Sequence, residues 1–227
     1  MVIPMQWFEK LRPAQPGLLA LRLLVAAFGI AMTCVAVSMF YLMELGSDPY
    51  QVLCVALHGQ LGISHGAANT LANGTIILFM LLFKRRYLNI SVFLSLIISG
   101  PLVDFFNALL APVVNTSLPL GVRLALIPVG CALMGAGIFV YTAPALGASP
   151  GDSLGIIIAD ALHRPYSLVR IGMDAAYTLA GFLLGGPVGA TTLAAVLLTG
   201  PCMGLTKKLL GNQPFFTRLA PAAPGIS

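Results

Sequence analysis

Apolar residues run along this chain in long, nearly unbroken blocks, and polar residues gather in the short stretches between them. An α-helix rises 1.5 Å per residue, so about 20 apolar residues cross a hydrocarbon core. Six blocks reach roughly that length, at approximately residues 18–44, 66–83, 89–110, 122–145, 168–185 and 187–209. Two further apolar pieces, Pro49 to Leu61 and Pro150 to Leu162, extend only about 20 Å and are too short to cross. The pattern predicts an all-α membrane protein with six spanning helices and two short ones, each short helix following the first span of a half.

Composition agrees, because 58% hydrophobic residues, 8% charged residues and a mean hydropathy of +0.95 leave too few polar groups to coat a soluble globule. The N-terminal "MVIPMQWFEKLRPAQPG" carries charge and prolines. The run behind it is too long for a signal-peptide core and lacks a cleavage site, so it reads as the first span. Cys34, Cys54, Cys131 and Cys202 lie inside apolar segments without C-x-x-C or metal-ligand spacing, and read as packing residues. No nucleophile–histidine–acid set or phosphate-cradling glycine loop appears, so no enzyme, cofactor or metal is expected.

Sliding the chain against itself reveals two copies of one unit. Arg22 meets Arg123, Gly29 meets Gly130, Leu45 meets Leu146, Pro49 meets Pro150 and Leu61 meets Leu162, all at one offset of 101 residues. After a one-residue deletion "SGPLVD" from Ser99 meets "TGPCMG" from Thr199. Each copy holds three spans, and an odd number forces the copies into opposite orientations. The expected layout is a cytoplasmic tail over 1–17, a first repeat over 18–110, an extracytoplasmic connection over 111–121, an inverted repeat over 122–209 and a cytoplasmic tail over 210–227. The net charge of +5 fits this layout better than nucleic-acid binding, since Lys and Arg favour cytoplasmic loops. With both termini inside, every basic residue but Arg123 falls on the cytoplasmic side, as in a multi-pass protein of a bacterial inner membrane.

The short pieces open with helix-stop and helix-start chemistry. Gly46 ends one helix, Asp48 caps the next and Pro49 suits its first position; Gly147, Ser149 and Pro150 repeat the phrase, with Asp152 three residues after the cap. Gly100-Pro101 and Gly200-Pro201 are read as further breaks in the third spans. Paired interruptions in matching halves point to a transporter's substrate site, because helix ends expose backbone groups that protein, water or a solute must satisfy. The competing reading makes each break a capped corner at the lipid interface. Gln51 and His58 share a stripe of the first short helix, and Asp152 corresponds to Gln51. Asn69 and Asn73 in the second span correspond to Arg170 and Asp174, one turn apart in both halves. These residues, with Asp48 and Ser149, form the candidate substrate site. Against that, Asp152 can serve as a cap, His58 as an interface residue, and Arg170 can snorkel with Asp174 as its partner. Asp104, behind a Gly-Pro step, is a candidate cation ligand.

The stretches "LGSDPYQVL" and "ISGPLVDFF" resemble the pattern of the YczE and YitT-like bacterial inner-membrane proteins. Where that pattern has an aromatic-acidic pair after the proline, this chain has Tyr50-Gln51 and Gly151-Asp152. The resemblance implies a multi-span membrane protein presumed to move small solutes and supplies no substrate. The leading expectation is a transporter or permease of a small solute working by alternating access. The alternatives are an aquaporin-like channel or a non-transporting accessory protein. The expected partners are the bilayer and the solute, with a second copy or another membrane protein as further alternatives.

Overall fold

The computed structural model describes residues 16–219. The tails outside that range, and the side chains of Pro16, Arg86 and Ser167, are not described. The elements among the described residues are all helical: α1 (Pro16–Met43), α2 (Pro49–Leu61), α3 (His65–Phe83), a short 3-10 turn (Arg85–Tyr87), α4 (Ile90–Leu110), α5 (Leu120–Thr142), α6 (Pro150–Leu162), α7 (Tyr166–Leu183), α8 (Ala190–Leu210) and α9 (Pro214–Leu219). Both short helices have the expected bounds. Asp48 caps α2 by accepting a bond from the Tyr50 amide at 3.2 Å, and Ser149 caps α6 from the Asp152 amide at 3.2 Å.

Five of the helices, α1, α3, α4, α5 and α8, are long and apolar enough to cross a membrane. The expected sixth, α7, forms with 18 residues, but Arg170, Asp174 and its hydroxyl-bearing residues leave it less apolar than those five. A second difference lies at the Gly-Pro steps, where α4 continues through Gly100-Pro101 and α8 through Gly200-Pro201. Proline removes one ladder hydrogen bond, and neighbouring helices compensate for such losses in membrane proteins. At Gly100 that neighbour is α3, packed so closely that a Cβ would strike the Thr70 hydroxyl and lie 2.9 Å from the Gly66 carbonyl. Gly100 is therefore a packing site rather than a break, whereas Gly200 is exposed with nothing within 4 Å of a Cβ built there, and α8 runs on through it all the same.

The sequence repeat reappears as repeated backbone. Glu44 and Ala145 both adopt positive φ, at 50° and 53°, followed by Gly46 at 97° and Gly147 at 121°. The far ends of α2 and α6 match as well, with Gly62 at φ 64° and His163 at 52°. Positive φ costs little at glycine and more elsewhere, so finding Glu, Ala and His there shows that the surroundings hold these turns.

Packing repeats too. α1 and α5 cross antiparallel at small residues: a Cβ on Gly29 would run into the Tyr141 backbone, one on Gly130 into the Phe40 ring, and one on Gly137 would lie 2.9 Å from the Gly29 carbonyl. α4 lies on α1, where the Ser38 hydroxyl donates to the Val103 carbonyl at 3.2 Å, and α8 lies on α5, where Gly135 meets Thr199. Phe40, Met43, Val103, Cys131 and Ala195 join these four helices in one buried core. The other helices pack both within and between copies, α2 on α3 and on α7, and α6 on α7 and on α3. Each break also docks on the third long helix of the opposite copy: the Thr191 amide donates to the Leu45 carbonyl at 3.0 Å and the Ser91 amide to Leu146 at 3.5 Å.

Candidate functional site

The end of α5 and the start of α6 bring a carboxylate to the second break, and the next helix brings a cation to meet it. Asp152 Oδ2 accepts bonds from the Tyr141 hydroxyl at 2.7 Å and the Ser149 hydroxyl at 2.9 Å. Its Oδ1 accepts from the Tyr166 hydroxyl at 3.1 Å and from Arg170 Nη1. Arg170 Nε turns the other way, to Asp174 at 3.2 Å, one helical turn along α7. One guanidinium thus bridges two carboxylates on two helices. The side chains of Arg170, Asp152 and Asp174 retain 43%, 21% and 24% exposure in the isolated chain, so the cluster opens at Arg170 and closes behind it. The three charges sum to minus one.

The first break carries the same frame with neutral groups at the three matching places, its own carboxylate, Asp48, standing at the α2 cap where the second copy has Ser149. Tyr41 donates its hydroxyl to Gln51, the counterpart of Asp152, and Asn73 donates to Asn69 at 3.0 Å where Arg170 and Asp174 pair in the other copy. Gln51, Asn69 and Asn73 are all buried. Tyr50 ties the two sets together. Its hydroxyl donates to Asn73 Oδ1 at 2.8 Å, and its ring lies edge-on to Tyr177 of α7 with centroids 5.3 Å apart. The polar faces of α3 and α7 therefore approach through this intervening ring. Asp48 sits beside it, its carboxylate accepting from the Tyr50 amide.

Of two further sequence-selected residues, His58 meets this belt only through stacked rings, and Asp104 lies apart from it. His58 bonds the Ile63 carbonyl through Nδ1 and stacks on His65 at 3.8 Å, and His65 in turn stacks on Tyr41 at 4.4 Å. That places His58 at the turn from α2 to α3. Asp104 accepts from the Ser64 hydroxyl at 2.6 Å and the Gly66 amide at 2.8 Å, so both oxygens cap the start of α3. Ser149, Asp152, Arg170 and Asp174 come together, as do Asn69 and Asn73; Gln51 sits with Tyr41, and Asp48 at its cap.

The residues that sequence reasoning missed are the tyrosines, Tyr41, Tyr50, Tyr141, Tyr166 and Tyr177. A faint signal existed, since Tyr41 and Tyr141 sit within one residue of equivalent places at the ends of their spans. A tyrosine near a span end reads as an interfacial anchor, which conceals a hydroxyl turned inward to a polar partner.

A model of a family of unknown function, DUF6198, matches residues 20–208 of this chain. The chain belongs to this family. Among its relatives, the uncharacterized membrane protein YczE of Bacillus subtilis (strain 168) is 30% identical over 178 residues, 78% of each chain. An uncharacterized protein of Haemophilus influenzae is 26% identical over 84% of this chain and 85% of its own length. The uncharacterized protein YyaS of B. subtilis is 23% identical over 76% and 85%. No solved structure matches. With a membrane-protein relative and five apolar helices of spanning length, this DUF6198 member is a multi-pass membrane protein.

Proposed function

We propose that this protein is a transporter of a small solute, built from two inverted three-span repeats that rock against each other in a bacterial inner membrane. One observation carries the reading. Polar groups from both repeats converge where the two helix breaks approach, with Tyr50 of the first break touching Asn73 and Tyr177 while Asp152 of the second holds Arg170. Interrupted helices at matching places in inverted halves are how transporters place polar groups at membrane depth.

Several features support the inverted layout. α1 and α5, which are equivalent, run antiparallel, as inversion requires. Exchanging the copies carries α1 on α4 into α5 on α8, and α2 on α7 into α6 on α3. A return crossing is needed between α5 and α8 if they run parallel like α1 and α4. At 1.5 Å per residue, α7 supplies about 27 Å for it. Its charges cost less to bury because Asp152 and Asp174 neutralise Arg170. The repeats then occupy 18–110 and 122–209, joined by an extracytoplasmic connection over 111–121. Both termini are cytoplasmic, which keeps the basic residues other than Arg123 on that face.

A second reading, a membrane accessory protein, draws support from the completeness of the Asp152 network, whose four bonds need no solute. Uptake of a panel of small labelled amines, amino acids and polyols into liposomes decides between them. The transporter reading expects flux of at least one solute, reduced at least about tenfold by Asp152→Asn and by Arg170→Ala, a factor equal to about 1.4 kcal/mol. Folded protein that moves none of the panel, yet cross-links to a second membrane protein in its native membrane, would establish the accessory reading.

A further inference from the structure

The two copies differ at one position in a way that leaves space. Tyr50 and Gly151 occupy the same place, two residues after Asp48 and Ser149, the caps of two 13-residue helices that start and end alike. Tyr50 fills the gap between α3 and α7, with its hydroxyl on Asn73 and its ring against Tyr177. Exchange of the copies carries Asn73 into Asp174 and Tyr177 into Ile76. An aromatic side chain from position 151 would thus lie between Ile76 and Asp174, one turn along the same groove from Tyr50. The residue is glycine, and a Cβ built there meets nothing within 4 Å.

The groups around this slot are poised for a ligand. Among the described residues the Asp174 carboxylate faces Arg170 and receives no hydroxyl, whereas the side chain of its counterpart Asn73 receives that of Tyr50. Among the described residues, the Tyr177 hydroxyl is shut away from solvent without a hydrogen-bond partner, one turn beyond Asp174. The Ser153 hydroxyl, on the first turn of α6 with the residue only 2% exposed, has none either. Buried hydroxyls usually find partners, so the orphaned Tyr177 hydroxyl, on the helix that carries Asp174, marks where a polar solute atom belongs, while Ser153, two residues from Gly151, turns to the other side of α6. Ile76 packs with Ile157, Leu154 and Tyr50, which gives the slot an apolar wall.

We infer that the solute binds in this slot, taking the place in the second copy that the Tyr50 side chain holds in the first. The matching chemistry is an organic ammonium ion with an apolar body about the size of one ring. Its cationic end meets Asp174 in a cluster whose Asp152, Arg170 and Asp174 carry a net negative charge, and its body lies beside the faces of Tyr50 and Tyr177. This rests on the transporter reading for its physiological meaning, while the slot itself is testable without transport.

The test uses the full chain with its four native cysteines replaced and a single cysteine at Gly151→Cys or, separately, Ile76→Cys, purified in detergent. Each is treated with two thiol reagents of similar size, the cationic trimethylammonium-ethyl methanethiosulfonate and the anionic sulfonatoethyl methanethiosulfonate. At both positions the cationic reagent reacts about tenfold faster, the lower end of what a focused charge does to an encounter rate. Adding Asp174→Asn removes most of that preference, and Gly151→Tyr blocks reaction at position 76. Equal rates, a faster anionic reagent as Arg170 alone would favour, or no reaction at either position in folded protein would overturn the inference. A cation-selective slot in a protein that moves no solute would keep this site and overturn only the transporter reading.

Discussion

The two helix breaks share one backbone and differ in charge. Each leaves its long helix through a positive-φ residue, at Glu44 or Ala145, turns at a glycine and restarts on a capped proline. Around the first break stand Gln51, Asn69 and Asn73; around the second, at the same places, stand Asp152, Arg170 and Asp174. The difference shows that the frame does not depend on ionic bonds, because the first copy, with amides at those three places, makes it equally well. Charge in the second copy is thus additional chemistry. Buried ion pairs contribute little net stability once desolvation is counted, so their use here is better sought in function.

The comparison breaks most sharply at Arg170. Arg170→Ala strands two carboxylates, and unfolding in detergent should show a loss of about 2–4 kcal/mol, below the figure for a fully enclosed pair because Arg170 is 43% exposed. Asn69→Ala, at the matching place, should lose about 1 kcal/mol by the same measurement. Equal losses would mean that the charged copy is no different in kind.

Shared backbone predicts shared intolerance at the two glycines. Gly46→Ala and Gly147→Ala each force a side chain into positive φ, the first against the Gly189 backbone at 2.6 Å and the second against the Asn89 side chain. Both should cost about 2 kcal/mol in the same assay. A loss in one alone would show that the breaks are not equivalent.

Smaller effects separate the tyrosines. Tyr141→Phe removes a bond to a carboxylate and should cost about 1.5 kcal/mol, while Tyr41→Phe removes one to an amide and should cost about 0.6 kcal/mol. Smallest of all is the effect on stability of making the second break like the first. The triple variant Asp152→Gln, Arg170→Asn and Asp174→Asn should unfold within about 0.5 kcal/mol of the parent, since both partners of each ion pair go together and Asp48 keeps the Tyr50 amide. Its liposomes should lose uptake altogether. Retained uptake would remove the charges from the mechanism.

Much of the frame was legible in local chemistry. A cap such as Asp48 or Ser149, with proline at the next position, acts within one turn of helix, so the order of residues alone bounds both short helices. Gly100-Pro101 misled for the complementary reason: proline's local tendency is to interrupt, and only the close seat of Gly100 against α3 showed how the helix runs through. The tyrosines were hidden because a hydroxyl's partner depends on what faces it. Tyr50 reaches Asn73 across 23 residues, and Tyr177 from the other copy.

From sequence alone came the membrane class, the pairs of like residues at one offset, the two breaks and the difference in charge between their matching places, because hydropathy, offset and capping are properties of the chain itself. The tertiary structure decided which polar groups meet. α2 packs on α7 and α6 on α3. That crossing sets Tyr50 between two helices distant in sequence, leaves room beside Gly151 and turns Arg170 into a bridge between two carboxylates. Such an arrangement depends on how two copies fit against each other, which local chemistry does not encode.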